Sequence, residues 1–190
     1  MRIGSILAYT FGLFASVSAT RPSLWDSCGS DARLLKESTI EHDGNVVKVA
    51  TTSCPGFANL TSNALAAPSR ITKRAVTQCD LSPSACNILC NPLDTQASLI
   101  DCTLLSLTLS LQLTTFSAAP FSFTTFNLGT CQFAFANLDL TQYDVCHGFM
   151  GSHGQGIVTQ CVLTTPSTLA GFCVSLGILN NNWIVEAIHS

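Results

Sequence analysis

Residues 105–113 read LSLTLSLQL, and the assignment of this stretch decides the fold. Leucine recurs at every second position, at Leu105, Leu107, Leu109, Leu111 and Leu113, with Ser106, Thr108, Ser110 and Gln112 between. A period of two puts all five leucines on one side of an extended chain. The stretch is therefore expected to be a half-buried antiparallel strand. Downstream, SAAP (117–120) reads as a turn, and FSFTTF (121–126) alternates again through Phe121 and Phe123. After a break at 127–129, CQFAFAN places Cys131, Phe133 and Phe135 on one side of a further strand.

Beyond these strands the period changes. Asp139 or Thr141 is placed to cap a helix through QYDVCHGFM, with Tyr143, Cys146 and Met150 near helical spacing. The glycines of GSHGQG (151–156) are expected to interrupt it, with IVTQC as a second helical piece. NNNWIVEAI closes the chain as a strand, Trp183, Val185 and Ala187 opposite Ile184, Glu186 and Ile188. Upstream, Ser82 or Ser84 is expected to cap a short helix through Cys90 that ends at Asn91-Pro92. NVVKVATTSC suggests one strand in the N-terminal part. The expected class is α+β, a disulfide-stapled antiparallel sheet with one helical layer.

The ends and the charge distribution bound the setting. MRIGSILAYTFGLFASVSAT has the form of a secretory signal peptide over 1–19: Arg2, an apolar run, then Val17-Ser18-Ala19 as a small-residue cleavage site. That run is too short for a membrane span, and no later stretch reaches the ~20 apolar residues a span needs, so no transmembrane segment is expected. All eight lysines and arginines lie at or before position 74. From Ala75 onward the formal charges are Asp80, Asp94, Asp101, Asp139, Asp144 and Glu186 alone. A region without cations cannot neutralise phosphates, which excludes nucleic acid as its partner.

The same break divides the chain. Pro68 and Ser69 precede Lys73-Arg74, a dibasic pair of the kind that kexin-type processing proteases cut. Residues 20–74 read as a pro-segment or N-terminal extension, and 75–190 as a cysteine-rich α+β domain. Asn59-Leu60-Thr61 is an N-glycosylation sequon, with Asn59 as the acceptor.

Ten cysteines follow the leader: Cys28, Cys54, Cys79, Cys86, Cys90, Cys102, Cys131, Cys146, Cys161 and Cys173. An even number in an exported chain implies five disulfides. Two precede Arg74 and eight follow it, so each part can be closed internally. Cys86-x3-Cys90 has the form of a zinc half-site, but no second pair stands at suitable spacing. No cofactor is expected.

The pattern GTCQFAF … YDVCHGFM … IVTQC … AGFCV … NWIVEAIHS resembles small cysteine-rich secreted proteins of fungi over residues 129–190. More distantly, the sheet-plus-helix plan is similar to fungal killer toxins and glycan-binding effectors. That resemblance implies a secreted effector-like protein and carries over no functional residue. The adjacent Cys-Cys pairs of hydrophobins are absent.

Candidate chemistry is sparse. His147 and His153 flank GFMGS with Asp144 and Ser152 nearby, but no nucleophile elbow occurs. They are expected to be partly exposed at a helix break. The scattered acids suggest no glycosidase pair, and Asp139 and Asp144 suit a helix start. An exposed tryptophan could stack on a sugar ring, but Trp183 is expected in the core, and the sequence does not place Trp25. The expected function is therefore a secreted, non-enzymatic protein that binds an extracellular protein or glycan. A surface-active coat protein with an exposed Leu/Phe face, or a small secreted hydrolase, are the alternatives. Part of the Leu/Phe face, if uncovered, would be a contact surface.

Overall fold

The structure, a computed structural model, describes residues 24–61, 75–82, 85–91, 95–164, 170–175 and 182–190. The leader with Ala19, and the dibasic Lys73 and Arg74, lie outside the described residues.

Ten strands are described: β1 (Arg33–His42), β2 (Asn45–Ser53), β3 (Val76–Gln78), β4 (Cys86–Asn91), β5 (Thr115–Ala118), β6 (Ser122–Leu128), β7 (Cys131–Asn137), β8 (Tyr143–Cys146), β9 (Ala170–Ser175) and β10 (Trp183–His189). Seven form one antiparallel sheet in the order β1-β2-β6-β7-β10-β9-β4. The other three make a small sheet, β3-β8-β5, in which β3 runs parallel to β8. Helices α1 (Phe57–Thr61), α2 (Leu99–Ser110) and α3 (His147–Ile157) complete the regular elements, with a 3-10 turn at Leu24–Cys28 and a π-helical turn at Val158–Leu163. The α+β class and the disulfide-stapled antiparallel sheet stand as expected.

The decisive stretch does not form a strand. Leu99–Ser110 is an α-helix, capped by Ser98, whose hydroxyl accepts from the Asp101 amide. Cys102, Leu105 and Leu109 repeat at helical spacing and point into the core, with Leu105 and Leu109 wholly buried. Leu107 and Leu111 point the other way and are exposed. The alternation is real, but it wraps around a helix instead of marking a sheet face. Leucine is also a strong helix former and lacks the β-branching that strands favour.

Three further expectations are corrected. Cys86–Cys90 lies in strand β4, paired to β9, and not in a helix. Tyr143–Cys146 is strand β8, so the helix begins only at His147. GSHGQG does not interrupt that helix; it is its middle. Gly148, Gly151 and Gly154 recur every third residue on the side facing α2 and the sheet. At Gly151 a Cβ would come within 2.6 Å of the Ser106 carbonyl, and at Gly154 it would strike the Phe133 ring. The glycines thus permit close approach, and Ser106 donates a hydrogen bond to the Gly151 carbonyl at 2.9 Å.

The sheet has two covered faces. On the inner face Val47, Val49, Phe126, Phe133, Phe135, Trp183 and Val185 pack beneath α2 and α3. On the outer face Phe123, Ala134, Ala136 and Phe172 meet Leu24, Phe57 and the Cys28–Cys54 bridge. The N-terminal part is therefore built into the sheet: β2 pairs with β6 from Lys48↔Asn127 to Ser53↔Ser122. Its hairpin turns at Asp43-Gly44, both at positive φ, as a two-residue hairpin turn requires. Edge strand β1 is exposed and charged, with Arg33, Lys36, Glu37 and Glu41, which discourages edge-to-edge pairing.

All ten cysteines are paired, as Cys28–Cys54, Cys79–Cys146, Cys86–Cys173, Cys90–Cys161 and Cys102–Cys131. The last pins α2 to the start of β7, and none links residues before 74 to residues after it.

Candidate functional site

A concavity lies on the outer face, where the 3-10 turn passes over the sheet. This turn is held by the Cys28–Cys54 bridge and by the Gly56 amide donating to the Cys28 carbonyl at 2.9 Å. Gly56 has no room for a Cβ, which would come within 2.9 Å of that carbonyl. The clamp sets Trp25 at the rim of a cleft of about 480 Å³. Ala50, Thr52, Phe123, Thr125 and Gln132 form its floor, and Ala32, Leu34 and Ile188 its remaining walls.

Trp25 is 52% exposed, and its ring is tilted on Phe123 with centroids 6.0 Å apart. Phe123 in turn meets Phe57 edge-on at 6.3 Å, so the indole rests on a buried aromatic base. The polar groups of the floor are hydroxyls and one amide. The Thr125 hydroxyl donates to the Ala50 carbonyl at 3.4 Å and accepts from the Asn127 amide at 3.3 Å. None of the described residues that line it carries a formal charge. The buried acid of this face, Glu186, is fully covered and lies outside the lining. A volume within the usual ~300–1,000 Å³ range, aromatic on one wall and polar on the floor, suits a small neutral ligand.

A second, more polar cleft of about 390 Å³ lies across the β1–β2 hairpin, lined among others by Lys36, Ser38, Thr51, Ser117, Thr124 and His147. Here the residues considered for nucleophilic chemistry can be placed. His147 is buried, contrary to the expectation of partial exposure, and its Nδ1 is 2.8 Å from the Thr114 carbonyl, which makes that nitrogen the donor. Burial holds its pKa below the ordinary histidine value, an effect the Thr114 carbonyl only partly offsets. Asp144 accepts from the Ser117 hydroxyl at 2.7 Å. The Ser117 proton is therefore directed to the carboxylate and not to an imidazole; Ser152, the serine the sequence places near these histidines, is half-buried within α3 and is not part of this cleft's lining.

His153 is buried as well, stacked on Phe149 at 4.1 Å, with Nδ1 donating to the Phe149 carbonyl at 2.9 Å. Burial lowers its pKa too. Its ring lies beside Cys86 and Cys173, the three ligand atoms within 4.8 Å of one another. The two sulfurs are joined to each other, so this group offers no thiolate to a metal. Cys86 and Cys90, the sequence half-site, go to different partners.

The acids stand apart. Asp139 does not begin a helix: its Oδ2 accepts from the Tyr143 hydroxyl at 2.9 Å, and its Oδ1 from the Leu140 amide at 2.8 Å. Burial, then the Asp139 carboxylate, pushes the Tyr143 phenol well above its ordinary range. Asp101 accepts from both the amide and the hydroxyl of Thr130, each at 2.8 Å, bracing the turn at Gly129.

Trp183 is core, as expected, 1% exposed among Phe135, Phe149 and His153. Asn59 is exposed on α1. The sequence does not place Trp25, and the cleft floor is not legible in it, because its residues are far apart in the chain. No described helix is long and apolar enough to cross a membrane. No family model, curated protein or solved structure matches this chain.

Proposed function

We propose that the protein is a secreted, non-enzymatic binding protein, effector-like, whose outer cleft takes a neutral extracellular glycan. The observation that carries this reading is the uncharged cleft with Trp25 seated on its rim. An indole face stacks on the apolar side of a sugar ring, while the Thr52 and Thr125 hydroxyls and the Gln132 amide match sugar hydroxyls. Secretion is supported by five disulfides, which persist in oxidising compartments, and by the leader-like residues 1–19 with Ala19 at the cleavage position. The resemblance to small cysteine-rich secreted proteins of fungi points the same way. Asn59, exposed in its sequon, is the proposed attachment site for an N-glycan.

This reading gives residues 20–74 a working role as an extension. Trp25, Ala32, Leu34, Ala50 and Thr52 all belong to it, so release of that part would dismantle the cleft. If a protease cuts after Lys73-Arg74, no disulfide joins the two pieces, and among the described residues the β2–β6 ladder and apolar contacts on both faces of the sheet, around Phe123 and around Val47 and Val49, hold them together.

Binding is tested with the full secreted chain on an array of neutral oligosaccharides, followed by titration of Trp25 fluorescence. Trp25→Ala should weaken a hit at least tenfold while leaving the fold unchanged by circular dichroism. Absence of any neutral glycan ligand, or equal binding by W25A, would refute the assignment. Intact mass of the secreted product, reduced and unreduced, reads the processing directly. A product beginning at Ala75 alone would refute the working role of the N-terminal part.

A further inference from the structure

Leu34 and Lys36 stand two apart on β1, yet Leu34 lines the outer cleft and Lys36 lines the polar cleft on the inner side of the sheet. In a regular strand residues two apart share a face. The extra residue is Leu35: Leu34 pairs with Thr52 but Lys36 pairs with Thr51, a bulge that re-aims the lysine inward. Thr51 pairs in turn with Thr124 of β6, so one ammonium and two hydroxyls stand in a row across three strands. The two threonine hydroxyls are bonded to each other at 3.1 Å, which leaves one hydroxyl proton and free lone pairs for a ligand. Among the described residues Lys36 makes no ion pair, and its neighbour Glu37 falls on the other face, paired with Ala50 of the outer floor.

The remaining lining complements this row. Phe116 and His147 belong to it, with ring centroids 5.5 Å apart. Burial keeps the imidazole of His147 neutral, and its Nδ1 donates to the Thr114 carbonyl. Nε2 is therefore the acceptor nitrogen, and it has no partner among the described residues. Ser117 spends its proton on Asp144, which is not a lining residue, and its oxygen remains a second acceptor.

We propose that this cleft binds a hydroxylated monocarboxylate, in its simplest form a uronic-acid sugar. The carboxylate pairs with the Lys36 ammonium. Sugar hydroxyls donate to Nε2 of His147 and to the Ser117 oxygen and accept from the threonine pair, and the apolar side of the ring lies against Phe116. A single ammonium matches a single negative charge. None of the described lining residues is an arginine, and the chain carries a formal net charge of −3, both of which disfavour phosphate and polyanions. The volume of about 390 Å³, near the lower end of the ~300–1,000 Å³ range of ligand pockets, suits one or two sugar rings. This site is on the other face of the sheet from the Trp25 cleft and does not rest on the neutral-glycan reading.

The test is amide NMR titration of the full secreted chain with sodium glucuronate, glucose, acetate and inorganic phosphate, each to about 10 mM. Glucuronate should bind and shift the amides of Lys36, Thr51, Thr124 and His147, with glucose and acetate at least tenfold weaker because each lacks half of the match. Lys36→Gln, at an exposed position, should weaken glucuronate roughly tenfold or more, the loss of one charge-assisted bond, and abolish its advantage over glucose with unchanged circular dichroism. Trp25→Ala should leave glucuronate affinity unchanged, because Trp25 is not a lining residue here. Absence of glucuronate binding, or equal binding by K36Q, overturns the proposal. Phosphate binding as tight as that of glucuronate overturns the carboxylate assignment, and loss of glucuronate binding in W25A overturns its placement in this cleft.

Discussion

Replacing Leu109 and Leu111 by alanine, one at a time, separates the helix from the strand by energy. In an extended chain the two side chains share a face, and their truncation would cost the same. On α2 they do not: Leu109 is 0% exposed within the core and Leu111 is 58% exposed. Burying a leucine contributes about 1.5–3 kcal/mol, and the cavity left on truncation raises the loss to about 3–5 kcal/mol for a site that cannot collapse. Leu109 is such a site, because α2 is fixed to β7 by Cys102–Cys131 and to α3 by the Ser106–Gly151 hydrogen bond. An exposed substitution such as Leu111→Ala costs about 0.5 kcal/mol or less. With a urea slope of about 1–3 kcal/mol per molar, Leu109→Ala should lower the unfolding midpoint by roughly 1 M or more, and Leu111→Ala by a few tenths. The assay is urea unfolding with disulfides intact, followed by the fluorescence of buried Trp183. Equal shifts for the two variants would refute the helical reading of 105–111.

Two other predictions rest on packing and on protonation. Gly151→Ala should destabilise the protein by about 1–3 kcal/mol despite alanine's better helix propensity, because its Cβ meets the Ser106 carbonyl. Gly148→Ala, whose nearest neighbour is 3.9 Å away, should be neutral or stabilising; thermal midpoints of the two variants check both. His147 and His153 have folded pKa values lowered by burial, so below the ordinary value near 6.5 the unfolded chain binds protons that the folded one does not. Their contribution is therefore complete above about pH 6.5 and lost as pH falls toward the folded values. Unfolding midpoints should decline from pH 7 to pH 5, a decline that His153→Gln reduces among stably folded variants.

Much of the sheet was legible because its signals are local. FSFTTF, CQFAFAN and NNNWIVEAI alternate apolar and polar or small side chains, and each became a strand, β6, β7 and β10. Two further local signals lie in the sequence. Asp43-Gly44 is the strongest kind of hairpin dipeptide, and it turns β1 into β2. Ser98-x-x-Asp101 before the leucine run is a helix-start signature, and Ser98 does cap α2. The glycines of α3 read as breakers because propensity counts only their cost. Their benefit, the close approach of α3 to α2 and Phe133, belongs to the partner surfaces.

By itself, then, the sequence determined a disulfide-rich α+β chain with all its cations before Ala75 and three core strands. Those properties follow from composition and from neighbours a few residues apart. Only the tertiary structure decided that LSLTLSLQL is a helix, which cysteines join, that β2 completes the sheet beside β6, and that Trp25 closes a cleft with Phe123, Thr125 and Gln132. The physical reason is that an alternating leucine run satisfies a strand and, through Leu105 and Leu109, a helix equally well. Which side is buried depends on what surface arrives to cover it, and that surface comes from residues remote in the chain.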